Sequence, residues 1–204
     1  GSEEKIDVQA ADVPAENGET QDAADFGTAF HRLLERLNFQ NPEPELGSLA
    51  EEIYYGEPPQ VIEEACRLAR EFIKTEIFSQ IRAARHVYRE LPFVLNERHG
   101  KIHGILDLLF QSEEGDWIVV DYKTAVGDEA KVKQSAYDLQ IVIYAAAIYQ
   151  IAGIVPKKGL VYFIKNNKTY AMDFTREILE EHIRKIQAMQ EEILEFSRSM
   201  LAIQ

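Results

Sequence analysis

Two stretches of sequence decide the fold, Ile105-Leu106-Asp107-Leu108-Leu109-Phe110 and Trp117-Ile118-Val119-Val120-Asp121-Tyr122-Lys123. Each is a short run of apolar, β-branched and aromatic residues, which predicts a β-strand. Each run is also interrupted by one aspartate. An ionised carboxylate that leaves water needs a partner, a hydrogen bond or a metal ion, so both aspartates call for an explanation.

The geometry of a hairpin places these two aspartates together. The turn residues Ser112-Glu113-Glu114-Gly115 separate the runs, and Asp107 and Asp121 are each seven positions from Glu114. The two residues are therefore predicted to be near cross-strand neighbours. Carboxylates that close repel each other, which raises the pKa of one of them or requires a cation between them. Lys123 is two residues beyond Asp121, and the strand period of two puts it on the same face.

Two acids and a lysine on one sheet face match the needs of metal-assisted phosphodiester hydrolysis. Carboxylates bind a hard divalent cation through oxygen, and such a cation polarises a phosphate and activates water. The lysine would orient the water or stabilise developing charge. A structural Asp–Lys–Asp ion-pair cluster is the alternative, and these three residues alone do not decide between the two.

The pattern around these strands predicts a mixed α/β fold with a central mixed sheet of about five strands flanked by helices. Residues 1–24 are rich in acidic and small residues, which predicts a flexible acidic linker that opens with the Gly1-Ser2 of a cleaved tag, and residues 25–204 are predicted to be the domain. Asp25 is the expected N-cap of the first helix. Residues 41–59, with four prolines, are expected to form a long surface loop that could hold short helical turns. Further helices are predicted at 60–75, 78–85, 130–152 and 176–198, and strands at 86–96, 101–111, 116–123, 159–165 and 169–174.

The composition restricts the class of protein. The chain has 204 residues, 46% of them hydrophobic, and neither a long apolar run nor a secretory signal pattern, so we expect one domain, no membrane segment and a cytoplasmic location. Its one cysteine, Cys66, rules out an internal disulfide and a four-cysteine metal site. A net charge of −13 opposes nonspecific binding to nucleic acid. Six lysines could still form a local basic rim: Lys131, Lys133, Lys157, Lys158, Lys165 and Lys168.

Several motifs resemble those of a known family. Gly104-Ile105-Leu106-Asp107 followed by Asp121-Tyr122-Lys123 resembles the core of the PD-(D/E)XK nuclease superfamily. Three further segments are similar to motifs of its RecB/AddA branch: the helical histidine motif, the first strand and the Gln-x-x-x-Tyr helix. They are Gly27-Thr28-Ala29-Phe30-His31-Arg32-Leu33-Leu34-Glu35, Glu90-Leu91-Pro92-Phe93 and Gln140-Ile141-Val142-Ile143-Tyr144.

The resemblance implies a restriction-endonuclease-like fold and a role for individual residues. It implies metal ligation by His31, Asp107, Asp121 and the backbone carbonyl of Tyr122, catalysis by Lys123, a site lining near DNA by Gln140 and Tyr144, and a supporting role for Glu90. The implied cofactor is Mg²⁺, with Mn²⁺ as a substitute. No iron–sulfur cluster is expected, because the cysteines that bind one in another branch are absent.

Residue types add detail to this picture. Gln140 and Tyr144 are four positions apart and so share one helix face. Gly27, one turn before His31, leaves room for another group to come close. Tyr137, Lys131 and Lys133 are candidate DNA contacts.

The branch implies partners as well. Its members are usually C-terminal nuclease domains of helicase–nucleases that process double-strand DNA ends. We therefore expect a metal-dependent DNA nuclease that acts on single strands or ends in recombination repair in a bacterial cytoplasm, with a helicase domain in cis or a helicase subunit in trans. The alternative is a noncatalytic nuclease-fold module that binds DNA or a protein partner, which the charge of −13 favours.

Overall fold

A computed structural model describes residues 6–9, 21–97, 100–127 and 137–201 of the chain. This part forms six strands, six α-helices and one 3₁₀ turn at Ile164–Asn166. The strands are β1 (Ile6–Gln9), β2 (His86–Glu97), β3 (Gly100–Gln111), β4 (Trp117–Lys123), β5 (Lys158–Phe163) and β6 (Lys168–Asp173). The helices are α1 (Gln21–Arg36), α2 (Glu43–Ile53), α3 (Pro59–Ile73), α4 (Glu76–Ala83), α5 (Tyr137–Ala152) and α6 (Arg176–Leu201).

The strands form one mixed sheet, as predicted. β2, β3 and β4 make an antiparallel meander, β4 and β5 are parallel with α5 between them in the chain, and β5 and β6 are antiparallel. Helices α1 to α4 pack on one face of the sheet, whereas α5 and α6 pack on the other. The predicted fold class is therefore confirmed, with β1 as an additional short strand.

The register of β3 against β4 agrees with the sequence argument. The ladder runs from Gln111 opposite Trp117 to Leu108 opposite Val120, which centres the hairpin on Glu114. It stops one step before Asp107 and Asp121. β2 pairs along one edge of β3. On the opposite edge, β4 pairs with the C-terminal part of β3, and β1 pairs with residues 100–103 at its N-terminal end. The two aspartates thus lie at a fork where β3 and β4 separate.

The inward face of β3 also changes at this fork. Leu108 packs among α1 to α4, but both Leu106 and Leu109 pack against α5 and α6. Strict alternation would place Leu106 on the same face as Leu108, so the period of two is broken at Asp107. On β2, Glu90 stands at the position opposite Asp107 and has a φ of 47°, which is strained for a residue that carries a Cβ.

The N-terminal expectations need correction. β1 lies within residues 1–24, which were expected to be a linker, and its backbone pairs in parallel with β3. Only Ile6 and Val8 alternate in this segment, a pattern too short to be recognised as a strand without the neighbour that completes it. α1 begins at Gln21, so Asp25 lies inside the helix and is not its N-cap.

The segment 41–59 also differs from the surface loop that was expected, because it contains α2. Pro42 is the N-cap and Pro44 lies in the first turn, where the missing N–H has no helical partner to lose. Buried Leu46, Leu49 and Ala50 hold the helix against the core. In the described ranges, no helix combines the length and the apolar character that crossing a membrane requires.

Candidate active site

Asp107 occupies the fork between β3 and β4. Its Oδ2 accepts a hydrogen bond of 2.7 Å from the backbone N–H of Tyr122, where a strand carbonyl would otherwise be expected. The side chain is buried, with 7% of the residue exposed. Asp107 therefore bridges the gap that opens between the two strands.

Helix α1 brings His31 to the same place. His31 Nε2 lies 3.0 Å from the backbone oxygen of Tyr122, and Nδ1 lies 3.4 Å from Asp107 Oδ1. The fully buried Phe30 and Leu33 fix the apolar face of the helix against the core. His31, on the flank of that face, thus lies beside Tyr122, 91 positions away in the chain, and beside Asp107.

Gly27 allows α1 to approach the end of β4. A Cβ added at this position would lie 2.9 Å from Thr124 Oγ1, too close for ordinary packing. This is the close approach that the residue type predicts. Thr124 itself was not anticipated, because nothing in the local pattern marks it.

Lys123 is held by two side chains. Its Nζ lies 2.9 Å and 3.2 Å from the two carboxylate oxygens of Asp121, and it donates a hydrogen bond of 2.8 Å to Gln140 Oε1. Gln140 Nε2 in turn donates to the hydroxyl of Tyr144 at 2.7 Å. The sequence correctly placed Gln140 and Tyr144 on one helix face. However, Tyr144 is only 2% exposed, so it supports Gln140 from inside and does not line the surface beside DNA.

The side chains of the three candidate DNA contacts lie outside the part of the chain that the structure describes. Lys131 and Lys133 lie outside the described residues, and only the backbone of Tyr137 is described. Two other lysines of the suggested basic rim form ion pairs, Lys157 with Asp116 and Lys158 with Asp173.

Two acids of the site, Asp121 and Glu90, have raised pKa values. Burial raises the pKa of Asp121 to about 6, with Lys123 acting against this shift and Asp107 adding to it. Burial, followed by the nearby charge of Asp107, raises the pKa of Glu90 to about 7. Both shifts report an excess of negative charge in a desolvated place.

The same negative charge also raises the pKa of His31. Burial alone would lower the pKa of His31, but the charge and hydrogen bond of Asp107, together with the charge of Asp121, raise it to about 9. The site therefore favours positive charge.

The donor set suits a hard divalent cation. Oxygen and nitrogen ligands around Mg²⁺ at about 2.1 Å lie about 3 Å apart when they are adjacent. His31 Nε2 and the Tyr122 oxygen, which form a hydrogen bond of 3.0 Å, have this separation as well, and ligand atoms of His31, Glu90 and Asp107 all lie within 4.8 Å of one another. Asp121 Oδ2 is buried and has the Lys123 ammonium nearby, but it accepts no hydrogen bond of normal geometry from the described residues. A buried carboxylate oxygen with spare acceptor capacity is suited to bind a cation.

The expected metal ligands lie in two neighbouring places. His31 and Asp107 lie in a group with Glu90, which was expected only as a supporting residue. Asp121 faces Lys123 beside this group. Glu90 has a φ of 47°, and its carboxylate lies within 4.8 Å of ligand atoms of His31 and Asp107. No periodic sequence pattern could have shown this.

Comparisons with known proteins show the family of the chain. The family described as the PD-(D/E)XK nuclease superfamily matches residues 7–202. A subunit of an "ATP-dependent helicase/nuclease" from Carboxydothermus hydrogenoformans is 31% identical over 169 residues, which are 72% of this chain and 14% of the relative. The protein of the same name from Lysinibacillus sphaericus is 28% identical over 71% of this chain and 13% of its own length.

A solved structure of a "Putative exonuclease" from Eubacterium rectale shares the fold, with a TM-score of 0.55 and 13% identity over 87% of this chain and 68% of that one. The chain spans about a seventh of the length of the two helicase/nuclease subunits. The family match covers nearly all of the chain and both strands of the fork. The chain belongs to the PD-(D/E)XK nuclease superfamily, and its relatives confirm the RecB/AddA-like resemblance.

Proposed function

We propose that this chain is a divalent-metal-dependent deoxyribonuclease domain that hydrolyses phosphodiester bonds, with Mg²⁺ as its cofactor and Mn²⁺ as a substitute. The observation that carries the proposal is the convergence of His31, Asp107, Asp121 and Lys123 at the fork of a nuclease-family sheet. A purely structural ion-pair cluster would need neither the histidine from α1 nor the spare acceptor capacity of Asp121.

Each residue has a defined task in this proposal. The carboxylates of Asp107 and Asp121, His31 Nε2 and the Tyr122 carbonyl would hold the cation, with Glu90 close enough to assist. A divalent cation supplies polarisation of the phosphate and activation of water in such sites. The protein supplies a buried, preorganised set of donors, which spares the reaction the cost of reorganising solvent.

Lys123 stabilises the negative charge that develops on the phosphate. Asp121 and Gln140 fix its ammonium group, and its side chain is 20% exposed, so the charge is both oriented and accessible. Tyr144 acts indirectly, because its hydroxyl orients the amide of Gln140. Tyr144, Gln140 and Lys123 thus form a chain of hydrogen bonds from α5 to the fork.

The substrate and partners are extensions of this proposal. The relatives named as helicase/nuclease subunits support DNA as substrate and a helicase domain in cis or a helicase subunit in trans. We propose action on single strands or ends, during double-strand-break processing and recombination repair in a bacterial cytoplasm.

One observation favours a second candidate. The net charge of −13 would suit a nuclease-fold module that binds a protein partner and does not cut. The presence of a complete His31, Asp107, Asp121 and Lys123 set argues for the enzyme, because a binding module has no use for it.

A single assay separates the two candidates. Single- and double-stranded DNA, labelled at the 5′ or 3′ end, is incubated with the protein in EDTA, Mg²⁺ or Mn²⁺. The enzyme proposal predicts products only with metal, and the labels report polarity and strand preference. Asp116→Asn, an exposed acid paired with Lys157 away from the fork, is the matched control and should cut like the parent. DNA that is bound but intact under every metal condition would support the noncatalytic module.

A further inference from the structure

Arg89 fastens the C-terminal end of α1 to β2. Its Nη1 donates hydrogen bonds to the backbone carbonyls of Leu34 at 3.1 Å and Leu37 at 2.6 Å. The guanidinium also lies over the ring of Phe39, 4.7 Å from its centre. The last carbonyls of a helix have no partner within it and carry partial negative charge, so a partly buried arginine from another strand is a strong cap.

This cap lies close to the metal-binding side of the helix. His31 precedes Leu34 by three residues, less than one turn of α1. The neighbour of Arg89 in the chain is Glu90, whose strained backbone brings its carboxylate within the group formed with His31 and Asp107. Two consecutive residues of β2 thus contact α1 in different ways, one at the helix end and one beside the histidine.

We propose that Arg89 is a positioning residue, which fixes the placement of α1 along β2 and thereby holds His31 Nε2 at the distance from the Tyr122 carbonyl that a shared cation needs. This inference rests on the proposed metal site. One turn before His31, in the middle of α1, Gly27 lies close against Thr124. His31 stands between these two attachments, so α1 can neither slide nor rotate without moving the imidazole out of reach.

The effect should appear in metal affinity and should depend on His31. Groups that orient a metal ligand typically change affinity by about 10- to 100-fold when they are removed. If Arg89 acts through His31, removing Arg89 should not change metal affinity in a protein that already lacks His31. A residue that only stabilises the fold would instead change affinity equally in both backgrounds, or not at all.

The test is a double-mutant cycle on the full chain with Mn²⁺ as the probe. Binding is measured by calorimetry for the parent, Arg89→Met, His31→Ala and the double variant, and circular dichroism confirms that each is folded at the assay temperature. We expect Arg89→Met to weaken Mn²⁺ binding about tenfold in the parent and less than about twofold in His31→Ala. If Arg89→Met does not fold, Arg89→Lys replaces it, because it keeps the charge but not the guanidinium geometry.

Arg36→Met is the matched control. Arg36 is the last residue of α1 and pairs on the surface with Glu52, away from the fork, so its loss should leave Mn²⁺ binding unchanged. Equal losses for the Arg89 substitution in both backgrounds, or no loss in either, would overturn the positioning role while the metal site stands. A parent protein that binds no Mn²⁺ would overturn the proposed metal site and this inference with it.

Discussion

Replacing Asp121 by asparagine should stabilise the metal-free protein while it abolishes cleavage. The carboxylate is 1% exposed, and its pKa is raised from 3.8 to about 6. In the unfolded chain the group ionises near 3.8, so between these values the folded protein binds the extra proton and loses stability as the pH rises. Ionisation of Asp121 therefore lowers the free energy of unfolding by about 3 kcal/mol, because each tenfold change in proton affinity corresponds to about 1.4 kcal/mol.

The difference can be measured by urea unfolding at two pH values. Urea unfolding of the parent and Asp121→Asn in EDTA should show a stability advantage for the variant of about 3 kcal/mol at pH 8 and about half of that at pH 5. The asparagine oxygen can still accept a hydrogen bond from Lys123, so the packing is largely kept. The exposed, ion-paired Asp116 gives the control, since Asp116→Asn should bring no such gain at either pH.

An advantage that stays constant with pH, or a variant that is less stable than the parent at pH 8, would refute the reasoning. Either result would mean that Asp121 is not an electrostatically strained acid. Saturating Mn²⁺ should reverse the order, because only the parent then gains the binding energy of the ion.

Three further predictions follow from the same geometry. Lys123→Ala should reduce single-turnover cleavage by about 100- to 1000-fold while Mn²⁺ affinity in calorimetry changes little, because the lysine stabilises charge and is not a ligand; parallel losses would make it part of the metal site. Mn²⁺ affinity should fall as the pH drops below about 9, since a proton on His31 competes with the metal, and His31→Ala should flatten this dependence. Parallel pH profiles would show that His31 is no ligand. Gly27→Ala should weaken Mn²⁺ binding, because its Cβ meets Thr124 Oγ1 at 2.9 Å, and adding Thr124→Ala should restore it; a Gly27→Ala protein with parent-like affinity contradicts this packing.

The pH prediction also shows where the structure changes an expectation from sequence. An isolated histidine titrates near ~6.5, and proton competition would start there. In the folded chain burial lowers the pKa of His31, but the hydrogen bond and charge of Asp107 and the charge of Asp121 outweigh it and raise the pKa to about 9. The direction of the effect follows from the residue types, but its position on the pH scale depends on distances that only the fold provides.

The central hairpin could be predicted from sequence because its information is local. The turn around Glu114 predicts the register, which ends one step before Asp107 and Asp121, and the period of two predicts Lys123 beside Asp121. The break in the alternation of β3 at Asp107 could not be predicted in this way. That break depends on the separation of β4 and on the arrival of β1, neither of which the strand encodes alone.

Contacts between distant segments could not be predicted from periodicity. His31 reaches Tyr122 across 91 positions, and only the resemblance to a family joined the two. Arg89, Thr124 and the strained backbone of Glu90 carried no signal of their own, because their roles arise from what packs against them. The length of helix α2, expected only as short helical turns in a loop, was underestimated for a different reason: Pro42 and Pro44 stand at the start of the helix, where proline is tolerated.

The most direct test of the metal-dependent nuclease is single-turnover cleavage of a labelled single-stranded oligonucleotide, measured with and without Mg²⁺ for the parent and Asp107→Asn. Asp107 is chosen because its carboxylate contacts both β4 and His31 at the fork. We predict that the parent cuts only with Mg²⁺ and that Asp107→Asn, although folded, is slower by at least about 100-fold. Cleavage by the parent in EDTA, or an Asp107→Asn protein that cuts at the parent rate, would contradict a metal-dependent site at the fork between β3 and β4.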